Sequence, residues 1–419
     1  MRRCKVAVVG AGASGLMAAL HAAAALKKPG AVLLLEGNPK PGKKLLATGN
    51  GRCNLTNLDI SPEHYHGDPI PQGLWRRFSG ETILAQFRQL GLLTRQGTEG
   101  RMYPNSLQAA SVVHALWGAC AQAGVEALCG CLVEGLAPVR GGYLLTGPGG
   151  QEVFAQRVVL SCGGKASPRL STGEGYRLAQ GLGHTPTGLV PSLVGLRVGE
   201  KLPRALKGLR CKARAALTQN GRELYGESGE VIFGTETVSG ICVMNLTARL
   251  RGLSQKGLAL SLDLLEDMGA EELLAYLEKQ KSLWPQRPAG ELLAGALPLR
   301  LGWELVKAAG MDPDRALSAV TEKELAQAAG KVKGFRLEIL GPEGWENAQA
   351  TAGGVPLCQV DLDTMESKLA PGVYLTGELL DVDGDCGGYN LHWAWTTGIL
   401  AGQAAGSPQC WRGASLESV

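Results

Sequence analysis

Residues 6–19 read Val6-Ala-Val-Val-Gly10-Ala-Gly12-Ala-Ser-Gly15-Leu-Met-Ala-Ala19, and their reading decides the fold. Lys5 to Val9 is a short apolar run suited to a central parallel strand. An alanine-rich helical stretch follows the glycines as far as Lys28, and Ala31 to Leu35 is a second apolar run. Strand, turn, helix and strand within 36 residues form one dinucleotide-binding unit. A chain with 60 glycines produces the Gly10-x-Gly12-x-x-Gly15 spacing by chance, so the position between strand and helix gives the motif its meaning.

Physically, Gly10 permits the tight turn, Gly12 lets a pyrophosphate approach the backbone, and Gly15 allows close helix packing. Ala13 and Ser14 lie in the turn that leads into a helix whose N-terminal N–H groups and positive dipole end suit that pyrophosphate. Glu36 falls 21 residues after Gly15, where a carboxylate accepts hydrogen bonds from ribose hydroxyls. It would repel a 2'-phosphate, which favours FAD or NAD over NADP as the tightly held occupant.

Two further segments choose between them. Gly42 to Asn57 supplies Lys43, Lys44 and Arg52 for phosphate. Asn50, Gly51, Cys53 and Asn54 supply amides and flexible backbone for the edge of a flavin ring. Near the other end, Glu378 follows a run expected as a strand, Gly372–Glu378, and is suited to ribityl hydroxyls. Asp383, Gly388, Tyr389, Asn390 and Leu391 lead into a closing helix over 391–405, whose N-terminus would stabilise the negative charge of a reduced flavin. The alternating Asp381, Asp383 and Asp385 lack the glutamate of a calcium loop, and no metal site is expected.

The 419 residues exceed one ordinary domain, and 45% hydrophobic against 19% charged residues describes a globular chain. A net charge of +4 gives no global reason to expect nucleic acid or an anionic membrane. The uncharged stretch from Val6 to Leu26 is read as buried rather than membrane-inserted, because its glycines sit where a strand turns into a helix. Eleven scattered cysteines without zinc spacing fit a reducing compartment, the cytoplasm.

Helices are expected over 80–90 and 107–123, a strand over 125–133, and a β-meander returning through Arg157 to Gly163-Gly164. From about Pro191 the pattern changes to glycine turns and β-prone pieces as far as about 250, then to Leu-, Glu- and Lys-rich helical patterns over 264–330. The earlier style returns after about Ala350. The expected division is a discontinuous cofactor domain (1–190 and 351–419), an inserted β-rich domain (191–263 and 331–350) and a helical subdomain (264–330).

Taken together, VAVVGAGASGLMAA (6–19), GKKLLATGNGRCNLTN (42–57), STGEGYRLAQGLGH (171–184) and the long run from Thr351 to Gly398 resemble the BaiN/YhiN-type, or aminoacetone-oxidase-like, FAD-binding flavoproteins. The resemblance implies an α/β chain with bound FAD, a glutathione-reductase-like Rossmann domain, and an inserted β-barrel with helices. It also implies that Ser14, Glu36, Arg52, Val133, Glu378 and Leu391 surround the cofactor, Val133 through its backbone. Where family members often carry a Thr-His pair ahead of Ser-Gly-Pro, this chain has Phe233-Gly-Thr-Glu-Thr-Val-Ser-Gly-Ile241, a departure on the expected substrate side.

Flavin chemistry requires no side-chain nucleophile. The expected reaction is an NAD(P)H-supported reduction of a conjugated carbonyl substrate such as a 3-oxo bile acid or steroid enone, with NADH or NADPH as a transient donor and Tyr389 and His392 as candidate proton donors. The alternatives are oxidation of a small amine such as aminoacetone with release of hydrogen peroxide, a flavin redox sensor, and a tRNA-binding flavoprotein. The last would use the basic run Lys201, Arg204, Lys207, Arg210, Lys212 and Arg214, which lacks interleaved aromatics and reads more simply as a solvated face.

Overall fold

The computed structural model describes residues 1–199, 202 and 204–407. The chain forms two compact units, one of Met1–Pro191 with the residues from Gln349 onward and one of Ser192–Ala348.

In the first unit, β1 (Arg2–Val9), α1 (Ala13–Leu26) and β2 (Val32–Glu36) realise the strand, helix, strand order of the opening sequence. α2 (Ala109–Gln122) leads into β3 (Glu126–Cys129), and β4 (Gly135–Val139), β5 (Gly142–Gly147) and β6 (Gln151–Leu160) form the meander. Among the described residues the sheet has seven strands in the order β3-β2-β1-β6-β5-β4, with β7 (Val373–Leu375) also paired to β6. The β3-β2-β1-β6-β7 pairings are parallel and the two meander pairings antiparallel. β2 is buried along its whole length, as a strand with both faces covered must be.

α3 (Tyr389–Gly406) lies directly against α1. Gly398, Gly402 and Gly406 recur every fourth residue, and a Cβ at these positions would lie 2.5, 2.4 and 2.7 Å from the carbonyls of Ser14, Ala18 and Ala22. Only glycine allows this approach. Arg157, buried in β6, donates from Nη1 to the carbonyls of Ala404 (3.0 Å) and Ala405 (3.2 Å), placing a cation at the negative end of α3.

Several expected elements end early, each for a local reason. The strand expected to reach Val133 stops at Cys129, because Gly130 turns left-handed at φ +69°. The strand expected over Gly372–Glu378 ends at Leu375, and Gly377 (φ +63°) starts a short 3-10 turn over Gly377–Leu379. The closing helix starts at Tyr389, two residues before its expected start, after a left-handed Gly388.

The second unit holds a closed six-stranded barrel made of Leu196–Val198, Thr237–Ser239, Arg222–Phe233, Arg210–Gln219, Leu258–Asp263 and Phe335–Pro342. A helix over Ile241–Ala248 sits within the stretch read as β-prone. The helices Ala270–Leu283, Leu299–Ala308 and Glu322–Lys333 share one hydrophobic core with the barrel, joining Leu217, Leu260 and Leu337 to Leu277, Leu305 and Leu325. Barrel and helices are therefore one packed body. No helix of the described residues is long and apolar enough to cross a membrane.

Candidate functional site

The glycine turn has the shape the motif requires. A Cβ on Gly10 (φ +97°) would lie 2.4 Å from the Ser161 carbonyl, and one on Gly15 would lie 1.8 Å from the Gly10 carbonyl, so strand and helix are in backbone contact. At Gly12 nothing comes within 4 Å of the same atom. Gly12 caps α1 without any side-chain hydrogen bond, which leaves the N–H groups of the first turn open to an anion. Ser14 is buried beside Gly377, and Ala13 is half-buried.

Glu36 ends β2 as a buried carboxylate. It accepts from Ala11 N (2.7 Å), Asn38 N (2.7 Å) and Asn38 Nδ2 (2.8 Å), bonds that fix it beside the glycine turn. The stretch after β3 runs alongside, with Cys131 N donating to the Glu36 carbonyl and Gly130 N to the Asn38 carbonyl, and Val133 is buried just beyond. The two segments are thus neighbours, as the family resemblance implied.

Glu378 lies between the two halves of the sequence. Its Oε2 pairs with Lys44 Nζ at 2.7 Å and accepts from Gly164 N at 3.2 Å, while Oε1 accepts from Thr351 N at 2.8 Å. A carboxylate has about four lone-pair sites, so only about one remains for a ribityl hydroxyl. Gly164 must be glycine here, since a Cβ would lie 2.7 Å from the Glu378 carboxyl carbon, and Gly163 takes φ +71°. Thr351 stood in the sequence only as part of a family-like run and not as a site residue. Lys43, Asn50, Gly51 and Arg52 are exposed on the neighbouring loop, where Asn50 (φ +54°) and Cys53 (φ +57°) are strained left-handed residues. Cys53 is fully buried, and burial pushes its thiol up to about 12, so it stays protonated and unreactive.

A polar group is left over where the flavin edge is expected. Asn54 Oδ1 is buried without a hydrogen bond, 3.0 Å from where a Cβ on Gly388 would stand, at the N-terminus of α3. Leu391 is half-buried one turn along. An orphan amide oxygen, the uncapped start of α3, the open space at Gly12 and the fixed Glu36 suit the N–H edge, the anionic edge, the pyrophosphate and the ribose of FAD respectively. The residues present fit that group. Asn390 does not join them through its side chain, because both of its amide atoms clasp Gly384, accepting at 3.0 Å and donating at 2.7 Å. Asp383 is buried opposite His66 in a two-stranded ribbon.

The two candidate proton donors separate. His392 is fully buried in α3 with Nδ1 against Thr56 Oγ1 at 2.8 Å, and burial lowers its pKa to about 4, opposed weakly by the Phe78 backbone. The structure thus encloses this imidazole and holds it neutral. Tyr389 begins α3 and stacks on His64 with centroids 4.3 Å apart and planes 19° apart. Burial, then Asp59 and Asp385, raise its phenol above the ordinary value, so it carries its proton at neutral pH.

Sequence reasoning missed His64 and His66, whose ring nitrogens reach Asp385 at 3.1 and 2.8 Å. A signal existed. Only six histidines occur in the chain, and two of them stand two positions apart with Tyr65 between, where an extended segment turns both to one face. In the barrel, Arg210 pairs with Glu230 (3.0 Å) and Arg214 with Glu223 (2.5 Å), so part of the basic run is neutralised on the outer face of its strand; Lys201 lies outside the described residues.

The family model for the HI0933-like protein Rossmann domain matches residues 4–404. The 3-dehydro-bile acid delta(4,6)-reductase of Clostridium scindens is 38% identical over 406 residues, covering 96% of this chain and 98% of its own. The ribosomal RNA dihydrouridine synthase of Escherichia coli is 29% identical over 410 residues, covering 96% and 98%. Among solved structures, the open conformation of a flavocytochrome c3 fumarate reductase aligns with TM-score 0.49 at 16% identity, covering 97% of this chain and 78% of that one.

Proposed function

Given that the chain belongs to the HI0933-like Rossmann-domain family and is a flavin-dependent oxidoreductase, we propose that it reduces a carbon–carbon double bond conjugated to a carbonyl, as in a 3-oxo bile acid or steroid enone. The observation that carries this reading is a shared bond change. A delta(4,6)-reductase of a 3-dehydro-bile acid and a dihydrouridine synthase both saturate a double bond conjugated to a carbonyl, and both relatives match nearly end to end.

The resident flavin is FAD in this reading, because Gly12, the start of α1 and Glu36 form a place for an adenosine diphosphate half that a mononucleotide lacks. Bound flavin would supply the hydride, replenished by NADH or NADPH as a transient donor. The chain's own residues do the rest. Gly12 and the first turn of α1 hold pyrophosphate, Glu36 orients ribose, and Glu378, fixed by Lys44, Gly164 and Thr351, orients the ribityl chain. Asn54 and the start of α3 hold the ring edge, and Tyr389 keeps a proton beside it. The substrate is a small molecule, and the compartment is the cytoplasm, in keeping with the absence of disulfides among the ten described cysteines.

A second reading, reduction of uridine in RNA, is favoured by the dihydrouridine synthase relative and disfavoured by the ion-paired Arg210 and Arg214. The test is anaerobic. The purified holoenzyme is reduced with NADH or NADPH and then mixed separately with a 3-oxo-4-ene steroid or bile acid and with uridine-containing ribosomal RNA. Flavin reoxidation with formation of the saturated ketone supports the proposal, and reoxidation by RNA alone moves the assignment to the second reading. Bleaching by aminoacetone, with peroxide on admitting air, would replace both with amine oxidation.

A further inference from the structure

A buried carboxylate shared by two imidazoles lies under the residue that begins α3. The ribbon of Tyr65–Gly67 paired with Val382–Gly384 sets Asp383 opposite His66 and brings Asp385 between the rings. His66 Nε2 meets Asp385 Oδ1 at 2.8 Å, His64 Nδ1 meets Oδ2 at 3.1 Å, and the other nitrogen of His64 faces Asp59 Oδ2 at 3.5 Å. The Asp385 side chain is 6% exposed, that of His66 10% and that of His64 31%, so the array runs from the interior to solvent. Tyr389 lies flat on His64, and Tyr65 packs edge-on against Tyr389 while donating to its carbonyl at 3.3 Å. Among the described residues no group of three His, Cys, Asp or Glu side chains could hold a metal ion, which removes the commonest use of such a cluster. As a stabilising device it is poor, since burying a charge costs more than packing apolar side chains of the same volume.

Building on the proposed reduction of a conjugated double bond, we propose that Tyr389 is the catalytic proton donor, and that His64, Asp385 and His66 are positioning residues that keep a proton beneath its ring. In the step, the β-carbon of the substrate would accept the hydride that bound, reduced flavin supplies, and the displaced π electrons would move toward the carbonyl. The α-carbon then forms its new C–H bond with the proton of Tyr389 Oη, leaving a phenolate. A proton held between His64 and Asp385 beneath that ring would offset the phenolate charge as it forms, and solvent would return a proton to Tyr389 Oη. The sum is substrate plus hydride plus proton giving the saturated ketone. Asp385 holds the His64 ring parallel to Tyr389, and His66 completes the hydrogen bonding of Asp385. The other charged or titratable groups facing the pair are Asp59, Glu63, Glu99, Arg101 and Tyr65.

Two measurements on the holoenzyme test this. Imidazole NMR without substrate should show ring nitrogens of His64 and His66 hydrogen-bonded to one carboxylate, a signature that Asp385→Asn abolishes. Ring nitrogens free of that bond in the wild type would overturn the proposal whether or not the variant folds. Stopped-flow reoxidation of the reduced holoenzyme by an enone should slow by about 10²-fold in Tyr389→Phe with unchanged KM. In His64→Phe, which keeps the stack and removes the charge, the pH dependence of that rate should flatten. Wild-type rates and pH profile in both variants would overturn the proposal while leaving the reductase reading intact. If no enone reoxidises the wild type, the reductase reading itself fails, and the step proposed here fails with it.

Discussion

Gly12→Ala and Gly15→Ala look alike in sequence and should behave oppositely. A methyl on Gly15 would stand 1.8 Å from the Gly10 carbonyl oxygen, 3.0 Å from its carbon and 3.2 Å from Ser161 Cβ, and the nearest of these is backbone that cannot rotate away. Overpacking of a rigid site costs about 1–3 kcal/mol, and this overlap belongs at the upper end or beyond. Gly12 has φ −79° and ψ −162°, ordinary for alanine, and no atom within 4 Å of the added methyl. A small N-cap loss there is offset by the stiffer unfolded chain, leaving a net change within about 1 kcal/mol. The Gly12 methyl instead enters the space assigned to pyrophosphate. If it displaces the ligand at the same cost of about 1–3 kcal/mol, the FAD dissociation constant rises roughly 5- to 150-fold. Thermal unfolding of flavin-stripped protein and titration with FAD separate the two effects. A Gly12→Ala protein that melts normally and binds FAD as tightly as the wild type would refute the placement of the pyrophosphate.

Gly402→Ala puts a methyl 2.4 Å from the Ala18 carbonyl and should lower stability by about 1–3 kcal/mol, whereas Gly181→Ala, in a helix with open space around it, should hold or raise the melting temperature. His392 gives an acid signature: its folded pKa of about 4 lies below the ordinary 6.5, so the unfolded chain takes up a proton the folded chain refuses. Its contribution is whole above pH 6.5 and falls by roughly 3 kcal/mol as pH drops toward 4, so His392→Gln should flatten denaturant midpoints over that window. In a Cys410→Ser background, a thiol reagent at neutral pH should label the exposed Cys129 and Cys358 quickly. Cys53 and Cys120, whose thiols burial pushes up to about 12, should stay unlabelled until unfolding.

Local backbone demands made the Rossmann unit legible, because a strand, a glycine turn and a helix are specified by residues within a few positions of one another. Gly10, Gly12, Gly15 and Glu36 could thus be read in order, and the dinucleotide-binding unit followed from them, while the flavin reading rested on residues 42–57 and 372–391 and on the family resemblance. Element ends were less legible, since Gly130 and Gly377 could be read as either strand or turn until neighbouring backbone fixed their positive φ. The pattern over 191–350 showed a change of style, but not that barrel strands and helices share one core, because Leu217 and Leu305 join one hydrophobic cluster only in the folded body. His392 and Tyr389 sit three residues apart on one helix, and sequence cannot say which is enclosed. The turn of α3 sends the imidazole to Thr56 and the phenol to His64. The sequence by itself therefore determined the cofactor fold, through short-range sterics and hydrogen-bonding needs. Only the tertiary structure decided the polar site, since Lys44, Gly164, Thr351 and Glu378, like His64, His66 and Asp385, are brought together by long-range sheet and ribbon pairing that local pattern does not encode.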